Sequence, residues 1–274
     1  MTNQLSLIFF KIAMGFYIGA AVFYIANFLS QRRAFGDIGR VVLIIAVIPH
    51  ICAVIIRGIV SNRPPFLNLY EYMLSVTLGV VILYLALEFS NKSKIFGAVA
   101  VPLVALACVF TSRLPSEVAW TMPALKSAWR VPHISTAILA YSAFTIAFCL
   151  GILYLLREHA GKGGGFLASR LPSLDVLDHT AYRMIAFGFL MQTALLLTGA
   201  VWAQFAFGRP WSWDPKEVWA LITWLVYAAY LHTRLSMGWK GRRSIILTIV
   251  GFAVVLFTLF GVNWIGKGYH ATYQ

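Results

Sequence analysis

The chain is 274 residues long, 60% hydrophobic and only 11% charged, with a mean hydropathy of +0.80. A water-soluble fold cannot hide that much apolar surface, and a disordered chain would be polar and poor in aromatics, so both classes are excluded. The net charge of +13 comes from 22 Lys+Arg against 9 Asp+Glu; the cations fall in short segments between apolar runs, which fits loops at an anionic membrane surface and not a nucleic-acid-binding face.

A membrane helix needs about 20 mostly apolar residues. Eight stretches qualify, which predicts an all-α polytopic membrane protein forming a single integral membrane domain over 1–274. The first, 6–29, lacks a basic start and a cleavage site and reads as a retained helix. The second, 38–60, carries His50 near its middle. An ionisable group at that depth is a functional candidate by default, with a buried, hydrogen-bonded histidine as the other reading. The third is 70–88, and the fourth, 95–111, is short and contains Pro102. A long loop, 112–133, ends in Arg130 and His133 at the start of the fifth span, 134–157. The loop 158–180 holds Gly161-Lys162-Gly163-Gly164-Gly165, which lacks the second half of a P-loop and reads as a flexible connector. A short interfacial helix is expected over 166–178, and His159 and His179 read as solvated. The sixth span is 181–205; a Trp-rich loop, 206–216, leads into the seventh, 217–235. The eighth is 244–266, with Lys267 and His270 just beyond it. Cys52, Cys108 and Cys149 lie inside apolar runs without a CxxC pair and read as small apolar filler.

Eight spans put both termini on one side. Thirteen of the 22 Lys+Arg follow the odd-numbered spans and nine lie opposite, which predicts both termini and the Trp-rich loop outside. Seven of the nine tryptophans map to that face: Trp120, Trp129, Trp202, Trp211, Trp213, Trp219 and Trp264. An anchoring belt would be more even, so a one-sided cluster suggests a platform for a large flat apolar ligand, a thick outer girdle being the alternative. His133 and His270 share the face, and two imidazoles with an aromatic platform make a bis-His porphyrin site. Arg130 and Lys267 lie one helical turn before them. With Arg209 and Lys216, they either meet the propionates or are solvated interfacial side chains. His232 lies ~22 Å below the outer end of its span at helical rise. It differs from His50 by roughly 10 Å in depth on the same rise. The two make a poor pair for one haem, and His232 is the stronger ligand candidate.

The stretch Gly199-Ala200-Val201-Trp202-Ala203, followed by Gly208-Arg209-Pro210-Trp211-Ser212-Trp213-Asp214-Pro215-Lys216-Glu217-Val218-Trp219 and on to Trp224, is long and unusual. Over about 199–224 it resembles the WWD signature of haem-handling membrane proteins. Trp213-Asp214-Pro215-Lys216-Glu217, continuing to Tyr230-Leu231-His232-Thr233-Arg234, resembles the CcsA (ResC) family of system II cytochrome c synthase subunits. The likeness extends to Pro65, Asn68, Tyr70 and Glu71, to Val131-Pro132-His133, and to Gly261-Val262-Asn263 and Gly266-Lys267-Gly268 through His270.

The resemblance implies a holocytochrome c synthase of the haem lyase type, with haem b as substrate and cofactor. It would act in a bacterial cytoplasmic or a thylakoid membrane. Trp202, Trp211, Trp213 and Asp214 would hold haem at the outer face, and His133 and His270 would be its axial ligands. Those two histidines with Asp214 form the catalytic set; Arg130, Lys267 and His50 complete the cofactor-binding candidates. His232 would be a transmembrane ligand whose mate belongs to a CcsB (ResB)-like partner. The substrate protein would be apocytochrome c with its CxxCH motif, and a thioredoxin-like thiol reductant is a further implied partner. One departure is Phe207, where relatives usually show another Trp, which removes an indole N–H donor. This chain also lacks a large extracytoplasmic domain for docking the apocytochrome. Two other readings stay open on the residues alone: a CcmC-type haem transporter that forms no thioether, and a b-type electron-transfer cytochrome.

Overall fold

The computed structural model describes residues 2–91, 93–118, 127–161 and 165–262, and among these there is no strand. In chain order the helices are α1 (Thr2–Ser30), α2 (Arg33–Ser61), α3 (Leu69–Asn91), α4 (Gly97–Thr111), α5 (Arg130–Gly161), α6 (Phe166–Arg170), α7 (Leu174–Phe207), α8 (Pro215–Ser236) and α9 (Arg242–Leu256), which continues into a π-helical turn, Phe257–Gly261. Among the described residues six stretches are long and apolar enough to cross a membrane, namely α1, α2, α3, α5, α7 and α9 with its π turn; α4 is a shorter apolar helix. Two compact units emerge, Met1–Trp120 with Gly164–Leu171, and Thr121–Gly163 with Pro172–Gln274.

In the first unit α1 packs on α2 and α4, and α3 packs on the same two, a four-helix circuit. The α1–α2 seam repeats every three or four residues. Ser6, Phe10, Ala13, Tyr17, Ala20 and Tyr24 are buried on α1; Gly36, Gly39, Leu43, Ala46, His50, Ala53 and Arg57 are buried on α2. Bulky side chains on one helix face small ones on the other, which lets the backbones approach closely. The opposite face of α2 exposes Ile38, Val41, Ile45, Ile48, Ile55 and Ile59. A bare isoleucine stripe of that length suits hydrocarbon and not water.

Ionic clamps close both ends of this circuit. At one, Glu71 is fully buried and accepts from Arg57 Nε (2.9 Å), Arg63 Nη1 (2.7 Å) and the Leu67 N–H (2.8 Å). Arg57 reaches on to Asn3 Oδ1 (2.6 Å) and to the carbonyls of Ser116 (2.7 Å) and Glu117 (2.8 Å), so one guanidinium ties α1, α2, α3 and the segment after α4. At the other, buried Glu88 accepts from Arg40 Nε and from the Tyr24 and Tyr84 hydroxyls, each at 2.5 Å. Buried charges persist where their hydrogen bonds are filled, as these are.

In the second unit α5 lies against α7 and α9, and α8 closes the circuit against the same pair. At its centre Phe144 of α5 stacks on Tyr227 of α8, with centroids 3.7 Å apart and planes 9° from parallel. The stack fits because α7 and α9 offer glycines: a Cβ at Gly188 would lie 2.5 Å from the Phe144 ring, and one at Gly251 would lie 2.7 Å from that of Tyr227. On α8, Ala220, Thr223, Tyr227 and Tyr230 form the buried stripe. Leu225, Ala229, His232 and Ser236 form an exposed stripe on the opposite side. Asp178 grips Arg234 through both oxygens (2.9 and 2.7 Å) and accepts the Gly241 N–H (3.2 Å), tying α7, α8 and the α9 start.

Helix ends differ from expectation. The expected interfacial helix over 166–178 is cut at Pro172, so that only Phe166–Arg170 remains; Ser173 accepts from the Val176 N–H (3.4 Å) and starts α7 seven residues before position 181. A proline cannot continue a helix, whereas a serine supplies an N-cap. The expected connector at 162–164 lies outside the described residues.

Candidate functional site: an aromatic and imidazole-bearing helix end

The starts of α5 and α8 and the end of α7 meet at one end of the second unit. Helix α7 stops because Gly208 takes φ +75°, a left-handed C-cap whose N–H bonds the Gln204 carbonyl (3.0 Å). Helix α8 starts at a capping box. Asp214 Oδ1 accepts the Lys216 N–H (2.9 Å); Glu217 reaches back to the Asp214 N–H (3.3 Å), the Ser212 N–H (2.8 Å) and the Ser212 hydroxyl (3.0 Å). The short connection is therefore held at both ends. It presents Trp211 and Trp213 edge to face, with centroids 5.8 Å apart at 89°. Trp213 sits at φ +60° and is 73% exposed. A bulky residue in the left-handed region is strained, and the strain is maintained by the caps on either side.

His133 lies in the first turn of α5, inside the helix and not in the preceding loop as expected. Its ring stacks on Trp202, centroids 5.6 Å apart and 22° from parallel, and Trp202 meets Phe207 edge on at 5.9 Å and 66°. Phe207 thus keeps the aromatic contact that a Trp there would make, without the indole N–H. His133 Nδ1 lies 3.0 Å from the Leu195 carbonyl. A carbonyl only accepts, so Nδ1 carries the proton and Nε2 the lone pair. Gly199 makes this possible, since a Cβ there would lie 2.8 Å from Cε1 and 2.9 Å from Nδ1 of the ring.

Other expected residues fall as follows. Arg130 is buried at the first position of α5, one turn before His133, so it is not a solvated interfacial cation. Burial lowers the Lys216 ammonium pKa, with Asp214 pulling it the other way. Trp219 packs on Phe257 of the π turn at 4.2 Å, and Thr258 donates to the Trp219 carbonyl (3.3 Å). Trp224 is held inside the unit, its indole N–H on Thr193 Oγ1 (2.9 Å) and its ring stacked on Phe189 at 5.3 Å. His232 stands on the exposed stripe of α8. Lys267, His270, Trp120 and Trp264 lie outside the described residues.

His50 is placed differently from the ligand expectation. It is fully buried in the first unit, with Nε2 2.9 Å from the Leu74 carbonyl and Nδ1 2.9 Å from the Tyr17 hydroxyl. Nε2 therefore donates and Nδ1 accepts, so both nitrogens are occupied and neither is open to iron. Leu195 and Gly199 are the site residues that sequence reasoning missed as such. Gly199 stood inside the Trp-rich block, where a glycine signals close approach; a backbone carbonyl leaves no mark in a sequence.

Fold and site together define the class: an all-helical, multi-pass membrane protein that gathers indoles and an imidazole at one helix end. Residues 66–270 match the Cytochrome C assembly protein family. The cytochrome c biogenesis protein CcsA of Guillardia theta is 39% identical over 236 residues, 78% of each chain; that of Synechococcus sp. (strain CC9605) is 37% identical over 270 residues, 88% of each. The chain belongs to the cytochrome c assembly family, among the CcsA proteins of cytochrome c biogenesis. Its fold is also similar to the solved structure of Cytochrome c Heme Lyase CcmF, with a TM-score of 0.72 at 15% identity. That match covers 95% of this chain and 47% of the other, so this chain spans about half the length of that structure.

Proposed function

We propose that the chain, acting as one integral membrane domain, carries haem b to the outer face of a bacterial cytoplasmic or thylakoid membrane. It holds the porphyrin there on the Trp211 and Trp213 platform, with Trp202 backing the His133 imidazole and with His133 and His270 as axial ligands. It thereby supports attachment to the CxxCH motif of apocytochrome c, as a holocytochrome c synthase working with a CcsB (ResB)-like subunit. The Trp-rich loop and both termini face outward. In each attachment a cysteine S–H adds across a vinyl C=C: sulfur bonds one carbon, the hydrogen goes to the other, and no net electrons are exchanged. The thiols must arrive reduced, which is the task of a thioredoxin-like reductant.

The observation that carries this reading is the His133 imidazole, backed by Trp202 and tied through Nδ1 to the Leu195 carbonyl. A metal-binding histidine is commonly oriented in this way, with its second nitrogen donating to a carbonyl and the ligating lone pair fixed in direction. Holding vinyl groups beside incoming thiols can supply roughly 7–11 kcal/mol of a barrier when the placement is ideal. Arg130 and Lys267 meet the propionates. Asp214 is a positioning residue that acts through the loop it caps. His232, outward on α8, offers a transmembrane imidazole whose mate lies in the partner, and His50 takes no part.

The test is coexpression with a CcsB-like subunit and a CxxCH reporter. The expected product is haem that acid-acetone does not extract from the reporter. Reporter haem that extracts completely, from a preparation in which the chain itself is haem-loaded, would make this a haem-presenting transporter and not a synthase.

A further inference from the structure

A cavity of about 760 Å³ opens at the end of the first unit where α1 and α3 finish and α2 and α4 begin. Four cations line it: Arg33, Arg40, Lys94 and Arg170. Glu88 also lines it, but that carboxylate is satisfied by Arg40 and two tyrosine hydroxyls. Lys94 pairs with Asp37. Arg170 donates to the Phe28 and Leu29 carbonyls at the negative end of α1, which offsets part of its charge but supplies no anionic side chain. Among the described residues no ion pair involves Arg33 or Arg170. Four cations against Glu88 and Asp37 leave an excess of two positive charges around the cavity.

The start of α2 borders this field. Its N-cap, Arg32, makes no side-chain capping bond, and its first turn holds no acidic residue. The positive end of this 29-residue helix lies at the cavity rim beside Arg33, set against the negative ends of α1 and α3, so the excess of charge rests on the side chains. One wall is apolar and outward-facing: Phe89 is 55% exposed, with the Arg40 guanidinium 5.2 Å from its ring centroid. Cations converging over an aromatic edge that continues into a lipid-facing surface match a charged headgroup joined to a hydrocarbon tail.

We infer that this cavity binds the headgroup of an anionic phospholipid, with the phosphodiester among Arg33, Lys94 and Arg170 and an acyl chain along Phe89. Basic pockets between helices at the cation-rich face of a membrane protein are suited to such headgroups. The experiment uses the full chain in mixed micelles, with phosphatidylglycerol against phosphatidylcholine as probes and native mass spectrometry as the readout. Phosphatidylglycerol should be retained in preference, and Arg33→Gln and Lys94→Gln should each lower that preference about fivefold. Arg33 is exposed and Lys94 pairs with the exposed Asp37, and neither belongs to the Glu71 or Glu88 clamp; an unchanged thermal midpoint in phosphatidylcholine serves as the folding control, and should either variant fail it, the other is read alone. Equal retention of the two lipids by the parent chain, or undiminished preference in a folded variant, would overturn the assignment. So would inorganic phosphate binding as tightly as the lipid, which would make the occupant a free anion.

Discussion

At position 199 the absence of a side chain lets an imidazole lie against the α7 backbone, where any Cβ would press on the His133 ring at 2.8 Å. Gly199→Ala should therefore break the Nδ1 bond to Leu195 and lower haem retention several-fold. The effect of overpacking on stability should stay within about 1–3 kcal/mol. Haem-to-protein stoichiometry and the thermal midpoint in detergent separate the two effects. Trp213 allows a complementary test. Trp213→Gly relieves a left-handed strain of about 1–2 kcal/mol, so the midpoint should hold or rise while haem retention falls; a fall in both would mean that the indole serves the fold and not the ligand. His133 was legible in the sequence because an imidazole beside a Trp-rich face carries its chemistry in its residue type. Its tautomer was not, because the group that sets it is a main-chain carbonyl 62 residues away. His50 shows the opposite case: its depth flagged it, yet depth cannot report the Tyr17 hydroxyl and Leu74 carbonyl that occupy its ring.

At the scale of elements, the Trp-rich connection was read as a loop, 206–216, without the caps at Gly208 and at Asp214 with Glu217 that frame it, although glycine past a helix end and an acidic capping box are local signals. Asp214→Ala removes the cap at a cost of about 1 kcal/mol. It should lower holocytochrome yield several-fold, whereas Asp214→Asn, which still caps, should restore most of it; equal losses in both would give the carboxylate charge a direct role. Helix lengths were less legible. Hydropathy marks only the apolar middle of a helix, so residues 174–178 read as part of a separate interfacial helix and 179–180 as loop, although Leu177, Asp178 and Thr180 are buried on α7. The clamp on Glu71 was invisible as a clamp, because Arg57 and Arg63 reach it from α2 and the loop beyond. Removing one member of a buried charge cluster typically costs about 3–5 kcal/mol. Glu71→Ala should accordingly reduce accumulation of the chain in membranes, measured by immunoblot, whatever the haem supply.

For the whole molecule, composition announced a membrane protein and the eight apolar runs an all-helical one; those runs map onto α1–α5 and α7–α9. Which helices pair was not legible, because an apolar run carries no record of its neighbour; the two four-helix circuits depend on seams such as Tyr24 against Gly39 and Tyr17 against His50, seen only once the helices are packed. The face of α8 likewise emerged only in the fold, where the buried stripe at 220, 223, 227 and 230 turns His232 outward by helical geometry. His232→Ala should leave stability within about 0.5 kcal/mol, as expected for an outward substitution. It should also reduce haem that copurifies with the partner complex by more than half; full loading would remove the transmembrane site. Haem capture by the outer imidazole is tested most directly by holocytochrome yield in cells carrying the partner subunit and His133→Gly, with and without added imidazole. The yield should fall at least tenfold and recover in part with imidazole, whereas an undiminished yield from the glycine variant would contradict the role assigned to His133.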